Sequence, residues 1–409
     1  MMNKESLVKL QEAILAGNIP QIVKSILQLA LEMGTSDIHI EPGEHSVRNR
    51  FRVDGELREI IEYPRNIHPA VVSRIKIMAN LKIDEQRRPQ DGRLQMTTDD
   101  RKEMELRVST LPTVGGEKIC MRLQDKNKSI PNFEQLGLTG HNRRALDEVI
   151  KNPNQIMLVT GPTGSGKTTT LYSVLACLNK PNINIMTIED PVEYGMAGLS
   201  QSQVKPDIGY TFADGLRCAL RQDPDIIMVG EIRDQETIEI AIKAALTGHM
   251  VLSTIHTNSA AATVTRIVDM GIPPFKITSA VSTIEAQRLA RRICPNCKEE
   301  YKPDGKIQED IYNKLKNVDP SEFDKSKLDN LVLYRGKGCP ECDGTGSRGR
   351  MGIYEIMRFD RDIEKLILAG AHDYEIEECS VSKGMVTLNQ WALIHAVNGA
   401  ITIEETYKS

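Results

Sequence analysis

Residues 156–170 read IMLVTGPTGSGKTTT. An apolar run ends abruptly at a glycine, and Gly161–Thr168 fits the pattern G-x-x-x-x-G-K-[ST]. The following TTTLYSVLACL has helical character, so strand, glycine-rich loop and helix are predicted in that order. A chance glycine-rich turn would lack that context. Glycines let backbone N–H groups curl around phosphate at a helix N-terminus. Lys167 would bring a point charge to the outer phosphates and Thr168 a hydroxyl to Mg²⁺. The candidate nucleotide-binding residues are therefore Gly161, Pro162, Thr163, Gly164, Ser165, Gly166, Lys167, Thr168 and Thr169, with ATP and Mg²⁺ as expected cofactors.

Three more apolar runs share this arrangement: INIMTI (183–188), DIIMVG (225–230) and MVLSTI (250–255). They end in EDPVE, EIRD and HTN, and they alternate with helical patterns. That alternation predicts a parallel sheet, in which ligands bind at the carboxyl ends of the strands. Four polar clusters in that position imply one site.

Phosphoryl transfer needs a held metal and an oriented water. Glu231 is the candidate for polarising the water. Gly230 stands before it, where many phosphate-loop enzymes place a metal-binding Asp, and Asp225 is expected at the far end of that strand. Glu189, Asp190 and Glu193 are the candidates for the Mg²⁺ shell, against the plain alternative of capping or solvated carboxylates. His256 is placed to sense phosphate, whereas His249 is equally well read as a buried histidine satisfied by backbone.

The first third reads as an α+β module. Ile22, Val23, Ile26, Leu27 and Ala30 recur at helical spacing before Gly34. VRNRFRV then alternates Val47, Asn49, Phe51 and Val53 with Arg48, Arg50 and Arg52 before an Asp54-Gly55 turn. Arg48 and Arg50 read best as solvated. The polar stretch DKNKSIPN (125–132) reads as a linker.

Cys294, Cys297, Cys339 and Cys342 form two C-x-x-C pairs, with 41 residues between Cys297 and Cys339. Four thiolates leave no open position on a tetrahedral Zn²⁺, so a structural site is expected. Cys120, Cys177, Cys218 and Cys379 are isolated and read as packing residues.

The totals agree with this picture. The chain has 409 residues, enough for two or three domains, with 40% hydrophobic and 4% aromatic residues. Fifty-two basic residues stand against 56 acidic ones, for a net charge of −4. Without a basic tract, no nucleic-acid partner is expected. No apolar run is long enough to span a membrane and no secretory leader is recognisable, so a cytoplasmic protein is expected.

Together these residues resemble the secretion ATPases that power type IV pilus assembly and type II secretion. GPTGSGKTTTLY, TIEDPVEY (187–194), LRQDPDIIMVGEIRD (220–234) and TGHMVLSTIHTN (247–258) match that family's ordered motifs. SDIHIEP (36–42), RVDGEL (52–57) and RPQDGR (88–93) resemble its N-terminal module. The resemblance implies an α/β fold with a RecA-like ATPase domain preceded by an α+β, PAS-like module. It implies a homohexameric ring at the cytoplasmic face of the inner membrane, working on a polytopic platform protein. A membrane-anchored docking protein is a further implied partner, although only 35 residues precede SDIHIEP. By the same resemblance Arg93 and Arg107 reach the triphosphate, joining Glu231 and His256 as catalytic candidates. The four-cysteine element favours assembly over retraction motors.

The expected organisation is an N-terminal module over 1–128, a linker over 129–135, an ATPase core over 136–292, a zinc element over 293–348 and a helical region over 349–409. Competing readings are a nucleic-acid translocase, a competence-pilus variant of the motor and a nucleotide-gated scaffold without turnover.

Overall fold

The computed structural model describes residues 4–97, 103–125, 129–151 and 154–408. Residues 126–128 of the expected linker lie outside these described residues. The chain divides into two units: Met1–Ser129 with Gly338–Arg348, and Ile130–Lys337 with Gly349–Ser409. The expected zinc element over 293–348 is thus shared out between the two rather than forming a unit of its own.

In the first unit, β1 (Asp37–Pro42), β2 (Ser46–Val53), β3 (Glu56–Pro64), β4 (Gln90–Thr97), β5 (Glu103–Thr113) and β6 (Gly116–Asp125) build one sheet. Its order is β3-β2-β1-β6-β5-β4, and its neighbours run antiparallel. The alternation in β2 sorts its side chains: Val47, Asn49, Phe51 and Val53 are buried, while the intervening arginines are exposed or half-buried. Asp54 and Gly55 both take positive φ (50° and 89°), which a two-residue hairpin turn between twisted strands requires. The helix Ile19–Glu32 buries Ile22, Val23, Ile26, Leu27 and Ala30 in the same core as the sheet. Each such aliphatic side chain removed from water contributes roughly 1.5–3 kcal/mol before entropy is counted. Arg50 is not simply solvated: its guanidinium donates to both oxygens of Glu41, at 2.8 and 2.9 Å.

The second unit holds β7 (Ile156–Thr160), β8 (Ile185–Glu189), β9 (Leu199–Gln203), β10 (Ile226–Val229), β11 (Met250–Ile255) and β12 (Val281–Ile293), and a small pair of β13 (Lys298–Tyr301) with β14 (Leu333–Gly336). With β15 (Ser347–Arg358) the main sheet has the order β15-β12-β7-β11-β10-β8-β9. The ladders from β12 through β7, β11, β10 and β8 to β9 are all parallel. The central strands β7, β10 and β11 are buried at every position, which is why they read as unbroken apolar runs. In the main sheet, β9 and β12 carry no such run. β9 (LSQSQ) is a half-buried polar edge, and β12 places Glu285 and Gln287 in the interior.

Candidate nucleotide site and cysteine cluster

The parallel ladders bring the carboxyl ends of β7, β11, β10 and β8 to one edge of the sheet. The expected site residues of the ATPase core leave the strands there. His249 and Asp225 sit at the opposite edge, just before β11 and β10. His249 Nδ1 lies 2.9 Å from Ala244 O, which is the plain, backbone-satisfied role. The amide of Asn184 donates to Asp225 Oδ2 at 2.6 Å.

The loop after β7 turns on glycines. Gly161, Gly164 and Gly166 have φ of +146°, +81° and +94°. At Gly161 a Cβ would lie 2.4 Å from Gln287 O, so no other residue fits. Lys167 opens the helix Lys167–Leu178, and its ammonium donates to Gly161 O at 2.8 Å and Pro162 O at 3.1 Å. The loop's own carbonyls thus hold this cation in the cradle, and burial lowers its pKa. Ser165 Oγ is buried with no hydrogen-bond partner, a free hydroxyl inside the loop. Thr168 and Thr169 are half-buried in the first turn, and Pro162, Thr163 and Gly164 are exposed.

Hydroxyls join the strand ends. Thr160 and Thr257 share a hydroxyl–hydroxyl hydrogen bond of 2.7 Å, and the Thr257 amide donates to Thr160 Oγ1 at 2.7 Å. Thr254 Oγ1 donates to Gly230 O at 2.8 Å, and Ser253 Oγ to Val229 O at 2.7 Å. At Gly230 a Cβ would lie 3.3 Å from Ile188 O, tight against β8.

Glu231 is mostly buried. Its Oε1 accepts from Arg233 at 2.5 Å, and its Oε2 lies 3.5 Å from His256 Nε2. Burial pushes its carboxyl up, but the hydrogen bond and charge of Arg233, with His256 behind, outweigh this and hold it below the usual range.

The acidic cluster is split by burial. Glu189 is 2% exposed, and it accepts from Tyr172 Oη at 2.6 Å, Thr187 Oγ1 at 2.5 Å and Gln201 Nε2 at 3.2 Å. Burial raises its pKa despite these donors. Asp190 is exposed and Glu193 half-buried.

Sequence reasoning missed two residues of β12. Gln287 accepts from Thr170 Oγ1 at 3.0 Å, and its Nε2 lies 2.8 Å from where a Gly166 Cβ would stand. Arg288 donates to Asn258 O at 3.0 Å, tying β12 to the loop after β11. No local signal marked them, because β12 carries no unbroken apolar run.

In the first unit, Arg93 and Arg107 are register partners on β4 and β5, and Arg107 is the partner of Arg122 on β6. With Asp37, Asp91 and Cys120 they line a cleft of about 410 Å³. Arg93 lies 3.7 Å from Glu105, and Arg122 donates to Asp37 at 2.8 Å.

The sulfur atoms of Cys294, Cys297, Cys339 and Cys342 lie within 4.8 Å of one another. Cys339 Sγ and Cys342 Sγ are 3.7 Å apart, and tetrahedral Zn²⁺ with bonds of about 2.3 Å sets sulfurs about 3.8 Å apart. The amides of Cys339 and Gly346 point at Cys342 Sγ, each at 3.2 Å, as donors to a thiolate would. The donor set fits a structural zinc. Two of the remaining cysteines depart from their expected role: Cys177 and Cys218 are exposed, not packed.

Comparison with known proteins shows the family. The profile of the family described as type II/IV secretion system protein matches residues 12–408. The chain belongs to that family. It is 46% identical over 387 residues to the type IV pilus assembly ATPase PilB of Myxococcus xanthus, covering 95% of this chain and 67% of that protein. To the type II secretion system ATPase E of Vibrio cholerae it is 48% identical over 360 residues, covering 88% of this chain and 69% of that one. Among solved structures, the pilus retraction motor PilT with bound ADP aligns with TM-score 0.61 and 27% identity, over 94% of this chain and 95% of that one. The Legionella pneumophila ATPase DotB shares the fold at TM-score 0.68 and 22% identity, over 95% of each chain. The chain is thus an α/β ATPase of the secretion family. Among the described residues no helix is long and apolar enough to cross a membrane.

Proposed function

We propose that the chain hydrolyses ATP to drive assembly of a type IV pilus or a type II secretion pseudopilus, as a homohexameric ring acting on a polytopic platform protein at the cytoplasmic face of the inner membrane. A membrane-anchored docking protein is a further proposed partner. The observation that carries this reading is the convergence of the Lys167 loop, Glu231 and the acidic cluster on one edge of a parallel sheet, in a chain with close pilus-assembly and secretion relatives.

Lys167 and the loop amides bind the phosphates. Thr168, with Asp190 and Glu193, holds the Mg²⁺ shell, while Glu189 braces the strand end from inside. Mg²⁺ would neutralise charge developing on the transferred phosphoryl group. Glu231 orients the water, and His256 beside it responds to the phosphate. Arg93 and Arg107 supply the further cations that such transition states require. The four cysteines hold Zn²⁺ as a structural clip.

Phosphate release tests the chemistry. Lys167→Ala should lose ATP affinity. Glu231→Gln should keep affinity and lose turnover; near wild-type turnover would refute the assignment. Deleting the gene then reports the filament: loss of surface pili indicates the pilus, and blocked protein export indicates the pseudopilus.

A further inference from the structure

We propose that Arg233 is a positioning residue for Glu231, holding that carboxylate in one rotamer at the end of β10 with its second oxygen turned to His256. This rests on Glu231 as the water-orienting group.

The backbone makes the pair. The buried Ile232 donates its amide to Thr254 O at 2.8 Å, which pins the segment after β10 to β11. Glu231 and Arg233 flank Ile232 in non-helical backbone, and alternation along an extended segment puts such neighbours on one side. Their contact is 2.5 Å, with the Glu231 side chain 16% exposed and that of Arg233 63% exposed. An ion pair with so exposed a partner contributes little to folding stability. Its consequence falls on the carboxylate. Glu231 loses rotational freedom, and one of its oxygens is committed. The charges that act on Glu231 are Arg233, His256 and Lys167, and Asp190 in turn acts on Arg233. A water-orienting carboxylate must be ionised and aimed, and Arg233, the nearer of its two side-chain partners, contributes to both.

The test uses the full chain with Arg233→Ala, Arg233→Lys and Glu231→Gln. Arg233→Met retains the aliphatic stem if the alanine variant is poorly soluble. In Arg233→Ala the melting temperature and the KM for ATP should stay near wild type, with kcat falling about tenfold. The acid limb of the kcat–pH profile should move up by about one unit, because the carboxylate loses the cation that keeps it ionised. Arg233→Lys should restore the acid limb but only part of kcat, since an ammonium supplies charge without the planar fork. Wild-type kcat in Arg233→Ala would overturn the proposal. So would a raised KM with an unmoved acid limb, which would make Arg233 a phosphate ligand. If Glu231→Gln itself turns over, the underlying reading of Glu231 fails; if only Arg233→Ala behaves as wild type, the positioning role fails alone.

Discussion

Tyr172 donates to the buried carboxylate of Glu189 at 2.6 Å, joining the helix behind the phosphate loop to the end of β8. The pair lies beneath the site, and Gln201 of β9 donates to both partners. Tyr172→Phe should therefore destabilise the fold by about 1–3 kcal/mol, the cost of leaving a buried acceptor short of a donor. Denaturant unfolding measures this. With Glu189 acting as a brace, the Mg²⁺ dependence of Glu189→Gln should match wild type; a marked rise in the Mg²⁺ requirement would return Glu189 to the metal shell.

Glu285 of β12 is fully buried, and neither carboxylate oxygen has a hydrogen-bond partner. Burial pushes its pKa from 4.5 up to about 8. Between those values the folded chain keeps a proton that the unfolded chain releases. Stability should therefore fall as pH rises from 4.5 to about 8, then level off. Glu285→Gln should flatten this slope and be the more stable form at high pH, by an amount on the order of a few kcal/mol. Thermal melts of both proteins across that range decide it, and parallel curves would refute it.

One zinc per chain should co-purify with reduced protein, since the four sulfurs gather within 4.8 Å of one another and four thiolates complete a tetrahedral site. Cys342→Ser should lose the metal and lower the melting temperature, whereas the exposed Cys177→Ser should do neither. Metal analysis that finds folded, reduced protein without zinc would refute the assignment.

Arg93 and Arg107 face each other across β4 and β5, so each should matter without holding the fold. Arg93→Ala should keep its melting temperature and lose most turnover. Mixing Arg93→Ala with Lys167→Ala subunits should partly restore activity if the arginine serves a neighbouring subunit's loop. Activity that stays lost on mixing indicates service within the chain. Full activity in the single and double Arg93→Ala and Arg107→Ala variants would remove these arginines from the reaction.

Much of the second unit was legible because its strands are buried on both faces. β7 and β11 coincide with their apolar runs, and the phosphate loop depends on local chain geometry that glycine spacing encodes. The β2 alternation and the Asp54-Gly55 turn are local in the same way. β9 and β12 were silent, because their places in the sheet come from pairing with β8 and β7 rather than from their own composition.

The sequence by itself determined that a phosphate loop exists, which strands end in polar clusters, and which cysteines pair by spacing. Each of those is a short-range pattern. Only the tertiary structure decided which carboxylates are available. Glu189 and Asp190 are adjacent in sequence, yet β8 turns the first inward to Tyr172 and leaves the second exposed. Only the fold, likewise, put Gln287 against the loop glycines, because a contact between residues far apart along the chain depends on strand order. It also gave Glu231 its two neighbours, Arg233 from its own segment and His256 from the end of β11.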